Sequence, residues 1–197
     1  MLNIRKSVFE TNSSSMHTLC INKRNLNVPK SYTFTLEGQY GWETETCSGW
    51  ETGDYFHQIL IDIATTEALR RFKASDEFIN NKDKYEESGL YWYLYPKKHP
   101  AYKKVIDDTI NEYKLTIENI LYEYGCTDVK WEEDNGQTYY IDHVDAAHDF
   151  YNQMLKDHDL LIHFLFGDSV IYTGNDNYEY DYPDYSEGCD YSYKKGN

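Results

Sequence analysis

The chain has 197 residues and a mass of 23.4 kDa, which suits one domain with a substantial core. Hydrophobic residues make up 40% of the chain and charged residues 27%, which excludes collagen-like, low-complexity and wholly disordered classes. The longest apolar run, residues 160–166, is far shorter than the roughly 18 residues that a membrane helix needs, and the opening residues do not resemble a secretory signal. We therefore expect a cytoplasmic protein without a membrane segment.

The charge balance points to the kind of partner. The chain has 19 Lys and Arg against 34 Asp and Glu, a net charge of −15, which repels a phosphate backbone. Direct nucleic-acid binding is therefore disfavoured and a basic partner is favoured, although acidity can also serve solubility alone. The 21 tyrosines add amphipathic side chains of the kind enriched at interfaces.

The first half of the chain predicts strands followed by a helix. Residues 16–22 and 31–36 are rich in β-formers on either side of a turn-rich stretch, which predicts a β-hairpin or two paired strands. From Asp54 to Phe72 the apolar residues follow helical spacing. The charged stretch 73–89 predicts a surface loop or a poorly ordered helix.

The second half alternates helices with strands. Pro100 suits the first turn of a helix through Tyr113, and a second short helix is expected from Thr116, as N-cap, to Gly125. The Asn135-Gly136 pair between β-formers predicts a second hairpin.

The last helices and the C-terminal segment complete the predicted architecture. Helices are expected from Asp145 through Lys156 and from about Asp157 to Phe166, before a strand at 169–173. The prediction is a single α+β domain over residues 1–175, with β-hairpins in its N-terminal and C-terminal parts packed with four to five helices. Residues 176–197 are expected to form an acidic, tyrosine-rich tail, either disordered or laid on the surface.

No standard catalytic signature is present, so chemistry would depend on polar clusters. The run from Phe9 to His17 can form a compact nest of backbone N–H groups, or simply a capped turn before an edge strand. Asp142 beside His143 is a combination common in zinc sites, and Glu43 follows a glycine that permits a sharp turn. Asp145 and His148 could equally be a surface pair. The four cysteines, which are expected to be reduced thiols with one or two possible metal ligands, are Cys20, Cys47, Cys126 and Cys189.

Four segments together resemble an uncharacterised family of phage and prophage proteins. They are the opening run Arg5–His17, the triplet Gly41–Glu43, the segment Tyr140–His143 and the turn Gly174–Asn177. The resemblance implies a phage setting and a host-cell location, and it suggests that the four segments meet in space. This juxtaposition implies a zinc site with His17, Glu43 and His143 as three of its ligands. The fourth ligand would be Cys20, Asp142 or Asp176.

In acidity and size the chain is similar in character to anti-CRISPR proteins, which act on Cas9-type effectors. We therefore expect a metal-binding inhibitor that binds a basic CRISPR effector nuclease and blocks DNA loading. This prediction favours a binding protein over an enzyme. The alternatives are a metal-dependent hydrolase of nucleic acid or nucleotides and a structural virion protein. The residues expected to contact the partner lie in the tail: Tyr178, Glu179, Tyr180, Asp181, Tyr182, Asp184 and Tyr185.

Overall fold

The computed structural model describes residues 15–40, 45–87, 89, 93, 96–133, 140–141, 145–175 and 188–195. Within these residues helices and sheets combine in an α+β fold, as the sequence predicts. The described helices number six rather than four to five: α1 (Trp50–Lys73), α2 (Asp76–Asn80), α3 (Lys82–Glu87), α4 (Pro100–Glu123), α5 (Asp145–Lys156) and α6 (His158–Phe166). A short 3₁₀ helix, Pro96–Lys98, precedes α4.

The strands form one larger sheet and two short pairs. The eight strands within the described residues are β1 (Ser15–Ile21), β2 (Ser31–Phe34), β3 (Gln39–Tyr40), β4 (Glu45–Ser48), β5 (Asp128–Trp131), β6 (Tyr140–Ile141), β7 (Val170–Asn175) and β8 (Tyr191–Lys195). The four-stranded sheet has the order β4-β7-β1-β8 and is antiparallel throughout. The two pairs are parallel, β2 with β5 and β3 with β6.

The first hairpin prediction is wrong in its pairing, although its two strands exist. After β1, the Asn22 side chain donates a hydrogen bond to the Asp168 carbonyl at 3.0 Å, and Asn27 N donates to the Phe166 carbonyl at 3.4 Å. These contacts hold the chain beside the start of β7, so β1 pairs with β7 and β8 and not with β2. The second hairpin remains a prediction, because its Asn135-Gly136 turn lies outside the described residues; the described strands β5 and β6 pair with β2 and β3.

Helix α1 begins at Trp50 rather than at Asp54, and side chains of its first turn bond back to the two residues before it. Gly49 has a φ of +64°, a left-handed conformation that suits glycine. The Glu51 carboxylate accepts a hydrogen bond from Ser48 N at 3.0 Å, and the Thr52 hydroxyl donates to the Gly49 carbonyl at 2.7 Å. The helix runs through the interior, and its residues 52–60 are all buried.

Helix α4 is continuous where two helices were predicted. Thr116 is not an N-cap; its hydroxyl donates to the Glu112 carbonyl at 3.0 Å inside the helix. The buried face continues past it through Ile117, Ile120 and Leu121, and this apolar periodicity outweighs the local cap signal. The last two helices match their predicted bounds, and Asp157 caps α6 through Leu160 N at 3.2 Å.

Two apolar clusters form the core. The larger lies between the four-stranded sheet and the helices, with Leu19 and Ile21 of β1 packed in the same cluster as Phe56, Phe150 and Phe164. The smaller joins the far end of α1 to α3 and α4, and it explains why residues 73–89 contain short helices: Tyr85 packs on Phe72 and is buried. None of the helices in the described ranges is long and apolar enough to cross a membrane.

The segment predicted as a tail includes a strand of the main sheet. Residues 191–195 form β8 on the outer side of β1, and Cys189, just before β8, forms a disulfide with Cys20 of β1. The expectation of reduced thiols is therefore wrong for these two cysteines, because the pairing brings their Cα atoms to 5.6 Å. Cys47 and Cys126 are buried thiols. Residues 176–187 lie outside the described residues.

Candidate functional site

The predicted zinc ligands fall mostly outside the described residues. His17 lies in β1, opposite Thr173 of β7, and the structure describes its backbone only. Glu43, Asp142, His143 and Asp176 are outside the described ranges. The described parts of the chain contain no group of three or more His, Cys, Asp or Glu residues arranged to hold a metal ion. The binding of zinc by the predicted ligands remains a prediction.

Cys20 is the one predicted ligand whose side chain is described, and that assignment is wrong. Its sulfur is bonded to Cys189, and the residue is only 7% exposed. A sulfur in a disulfide has no thiolate to offer a metal. The fourth ligand of any zinc site would therefore be one of the two aspartates, Asp142 or Asp176. The predicted partner-binding residues, from Tyr178 to Tyr185, lie outside the described residues.

A buried carboxylate organises the start of α1. Asp54 is fully buried, and its two oxygens accept five hydrogen bonds. The donors are the hydroxyls and amides of the segment after β2 and one side chain of α1: Thr35 Oγ1, Glu37 N, Gly38 N, Tyr40 Oη and Gln58 Nε2. Burial and the neighbouring Asp54 carboxylate raise the pKa of Tyr40. The network fixes residues 35–40 against the helix, so Asp54 serves structure.

His57 lies one turn further along α1 in an aromatic environment. Its ring packs edge-on against Phe34 and Trp131, and Nδ1 lies 2.8 Å from the Thr35 carbonyl. Because that carbonyl can only accept, Nδ1 carries the proton and Nε2 is left as a buried acceptor without a hydrogen-bond partner among the described residues. Burial lowers the pKa of His57 to about 4, with a smaller contribution from Lys114. The ring is therefore neutral at neutral pH.

A groove runs between α1 and α4 on the outside of this region. It has a volume of about 580 Å³, within the range of small-ligand sites. Ile61 and Thr65 of α1 line one wall, and Ile106 and Ile110 of α4 line the other. Charged residues line it too: Lys97, Lys103, Asp107, Lys114, Glu132 and Glu133.

Lys114 closes one end of the groove and is partly buried. Its Nζ lies 5.2 Å from the centroid of the Trp131 ring, and Trp131 Nε1 donates to Glu118 Oε1 at 2.7 Å. Burial lowers the pKa of Lys114, while the nearby Glu133 and Glu118 oppose that shift. The lysine thus lies between an aromatic ring and carboxylates, with no ion pair within the described part of the chain.

A histidine and a carboxylate meet between α1 and α5. His148 Nε2 lies 2.7 Å from Asp62 Oδ2, so His148 pairs with α1, and the suggested surface pair of Asp145 and His148 remains a prediction. A cavity of about 200 Å³ beside the pair is lined partly by Thr66, Glu67 and Arg70. Arg70 binds Glu67 through both its Nε and Nη2 atoms at 2.7 Å, and Arg71 Nε binds the same carboxylate at 2.8 Å.

The C-terminal end of α4 carries an acidic and aromatic surface, the acid–tyrosine patch: Tyr122, Glu123, Tyr124, Asp157 and Asp159. Tyr122 is 67% exposed. Tyr124 Oη donates to Asp159 Oδ1 at 2.5 Å, and this bond, with burial and the nearby Glu123 and Asp157 charges, raises the pKa of Tyr124 to about 12. Leu115, two turns before Tyr122, is 56% exposed.

Sequence reasoning missed four features: the buried polar groups at the start of α1, the groove, the His148–Asp62 pair and the acid–tyrosine patch. Asp54, His57 and Gln58 stand among Tyr55, Phe56 and Ile59 in a stretch without a polar face, and that pattern could have indicated buried polar groups. The groove and the His148–Asp62 pair join residues far apart in sequence, so no local signal marks them. The acid–tyrosine patch has the composition that was sought in the tail only.

Comparison with known proteins finds no matching family model, no matching curated protein and no matching solved structure. The resemblance to phage proteins therefore remains a prediction.

Proposed function

We propose that this chain is a binding protein that engages a basic protein partner through acidic and tyrosine side chains, and that this partner is a nucleic-acid-dependent defence effector of the Cas9 type in the host of a phage. The supporting observation is the acid–tyrosine patch. Its carboxylates complement the basic channel in which such an effector holds nucleic acid, and Tyr122, next to Glu123 in the chain, offers an exposed aromatic anchor.

The distribution of charge supports this proposal. Many described cations are already paired with carboxylates of their own helix or strand: Arg70 with Glu67, Lys82 with Glu86, Lys103 with Asp107, Lys104 with Asp108 and Lys130 with Asp128. The surplus of 15 negative charges is therefore carried by carboxylates without such partners, and the surface is acidic.

The placement of Glu123 also favours a binding role. The last turn of α4 contains no basic residue, although a helix C-terminus favours cations and disfavours carboxylates. A carboxylate kept there lowers the stability of the helix end slightly. A binding role for the patch accounts for a carboxylate at this destabilising position.

The direct test is a titration of purified effector with this protein. Inhibition that saturates near one protein per effector, and weakens when salt is raised from low to moderate concentration, is the expected result. Inhibition by substoichiometric protein that grows with time would favour the hydrolase alternative. Parallel incubation with labelled DNA, RNA and nucleotides identifies that activity directly.

Point variants test the surface. The double change Tyr122→Ala with Glu123→Lys should weaken binding by about tenfold or more, as expected for an aromatic anchor and a reversed charge. The matched control is Ile79→Ala with Asp83→Lys, which also removes a large exposed side chain and reverses a surface charge. Equal binding by both variants would exclude the patch and leave the tail residues, from Tyr178 to Tyr185, to be tested in the same way.

The zinc part of the proposal has its own measurement. Protein purified without chelator or a histidine tag should contain about one equivalent of zinc if His17 and His143 share an ion, and His143→Ala should lose it. Elemental analysis that finds no metal in the wild-type protein would remove zinc from the proposal without affecting the binding role.

A further inference from the structure

The groove between α1 and α4 has different charged residues at its two ends. Phe72 of α1 packs on Tyr102, and His57 lies near Lys114, so the two helices run antiparallel. The α4 residues that line the groove span Lys103 to Lys114, which is about 16 Å at the helical rise. Lys97 and Lys103 therefore lie at one end, and Glu132 and Glu133 lie with Lys114 at the other.

The two ends carry opposite net charge. At the first end Lys103 Nζ pairs with Asp107 Oδ2 at 2.5 Å, which leaves the charge of Lys97 as the surplus. At the second end two glutamates face the single charge of Lys114, so the surplus is one negative charge. Neither Lys97 nor Lys114 has an ion pair with another described residue.

The middle of the groove is apolar. Ile106 is 8% exposed and Leu36 5% exposed, and both line the groove with Ile61 and Ile110. Thr65 and Asn111 are the only uncharged polar residues in the lining, and all lining residues are described. An occupant would therefore need an apolar centre.

From this arrangement we infer that the groove binds an extended peptide segment of about five residues, apolar in the middle, with an acidic residue near Lys97 and a basic residue near Glu132 and Glu133. An extended chain advances about 3.3 Å per residue, so five residues match the 16 Å length. The carboxylate of a fatty acid would pair with Lys97, but the apolar end of its chain would then lie beside the two glutamates. A peptide with opposite charges at its ends satisfies both ends.

This inference is independent of the proposed function, because no residue of the groove belongs to the acid–tyrosine patch. Three capped five-residue peptides with a Val-Leu-Val centre test it by fluorescence anisotropy with the full chain. One has Glu and Lys at its ends, one has Glu at both and one has Lys at both. The first should bind roughly fivefold more tightly than either of the others, because each mismatched end replaces an attraction by a repulsion.

A charge reversal within the groove sharpens the test. Glu133→Lys makes both ends of the groove positive, so the preference should move to the peptide with Glu at both ends. Glu87→Lys makes the same charge change on α3, outside the groove, and should leave the original preference unchanged. Thr65→Trp should fill the groove and abolish binding of all three peptides, while thermal melting monitored by circular dichroism checks that each variant folds.

Three results would overturn the inference. They are no binding of any peptide at millimolar concentration, equal binding of the three peptides, and the same change of preference in Glu87→Lys as in Glu133→Lys.

Discussion

At the scale of single residues, the most informative groups are polar ones inside the core. Asp54 and His57 are both fully buried in α1, yet they have different consequences. The Asp54 carboxylate is saturated with donors, whereas His57 Nε2 has no partner among the described residues. The first therefore contributes through its hydrogen bonds, and the second makes stability depend on pH.

The pH dependence follows from the lowered pKa of His57. That pKa falls from 6.5 to about 4, so between these values the unfolded chain binds a proton that the folded protein does not. The stabilisation associated with His57 is complete above pH 6.5 and decreases as pH falls toward 4, by about 3 kcal/mol in the free energy of unfolding. His57→Asn should flatten this part of the stability curve, measured by urea denaturation at several pH values.

The control for His57 is His158→Gln, which alters a half-buried histidine at the start of α6. Its stability curve is measured over the same pH range and compared with that of His57→Asn. A His57→Asn variant that keeps the full wild-type slope between pH 6.5 and 4 would show that another group is responsible.

The Asp54 network predicts a large effect from a small change. Asp54→Asn keeps the shape but replaces one acceptor oxygen by an NH₂ group that faces hydrogen-bond donors. We expect the free energy of unfolding to fall by about 3 kcal/mol. Urea denaturation measures it, with Asp83→Asn on the exposed surface of α3 as the control. A loss below about 1 kcal/mol would mean that the network rearranges easily.

At the scale of elements, sequence reasoning succeeded where signals were local. The bounds of α5 and the approximate bounds of α6 were predicted because periodicity and helix-end signals act within a few residues. The strand pairings were not, because β1 finds its partners about 150 residues away, where no sequence pattern specifies them. The surroundings of His57 were not predicted for the same reason, since Trp131 and Lys114 reach His57 only in the folded protein.

The continuity of α4 gives a test at this scale. Thr116→Pro should lower the free energy of unfolding by about 3 kcal/mol or more, because proline removes an interior hydrogen bond and clashes with the preceding turn. Ala101→Pro, in the first turn, should be nearly neutral. Thermal denaturation compares the two. Equal tolerance of both changes would support two separate helices with a boundary near Thr116.

At the scale of the whole molecule, the Cys20–Cys189 disulfide joins two distant parts of the chain. It ties β1 to the residues just before β8 across a sequence separation of 169 residues. In a cytoplasmic setting thiol reductants would open it, and β8 would then be held by its hydrogen bonds to β1 and by the contact of Tyr191 with Gln153 of α5.

The disulfide should account for a measurable share of the stability. Changing both Cys20 and Cys189 to serine should lower the free energy of unfolding by about 2–5 kcal/mol, as closing a long loop restricts the unfolded chain. Adding dithiothreitol should lower the stability of the wild-type protein to a similar extent and leave the double variant unchanged. Wild-type stability that does not respond to the reductant would show that the two thiols are not bonded in solution.

The central position of β1 has a consequence for how the protein is made. A ribosome releases β1 early, but its two neighbours in the sheet, residues 170–175 and 191–195, emerge only after all six described helices. Until then β1 presents two unpaired edges, the kind of surface that chaperones cover and that other nascent chains can join. The helices can begin to form before residues 191–195 emerge, whereas the sheet closes only after they have emerged.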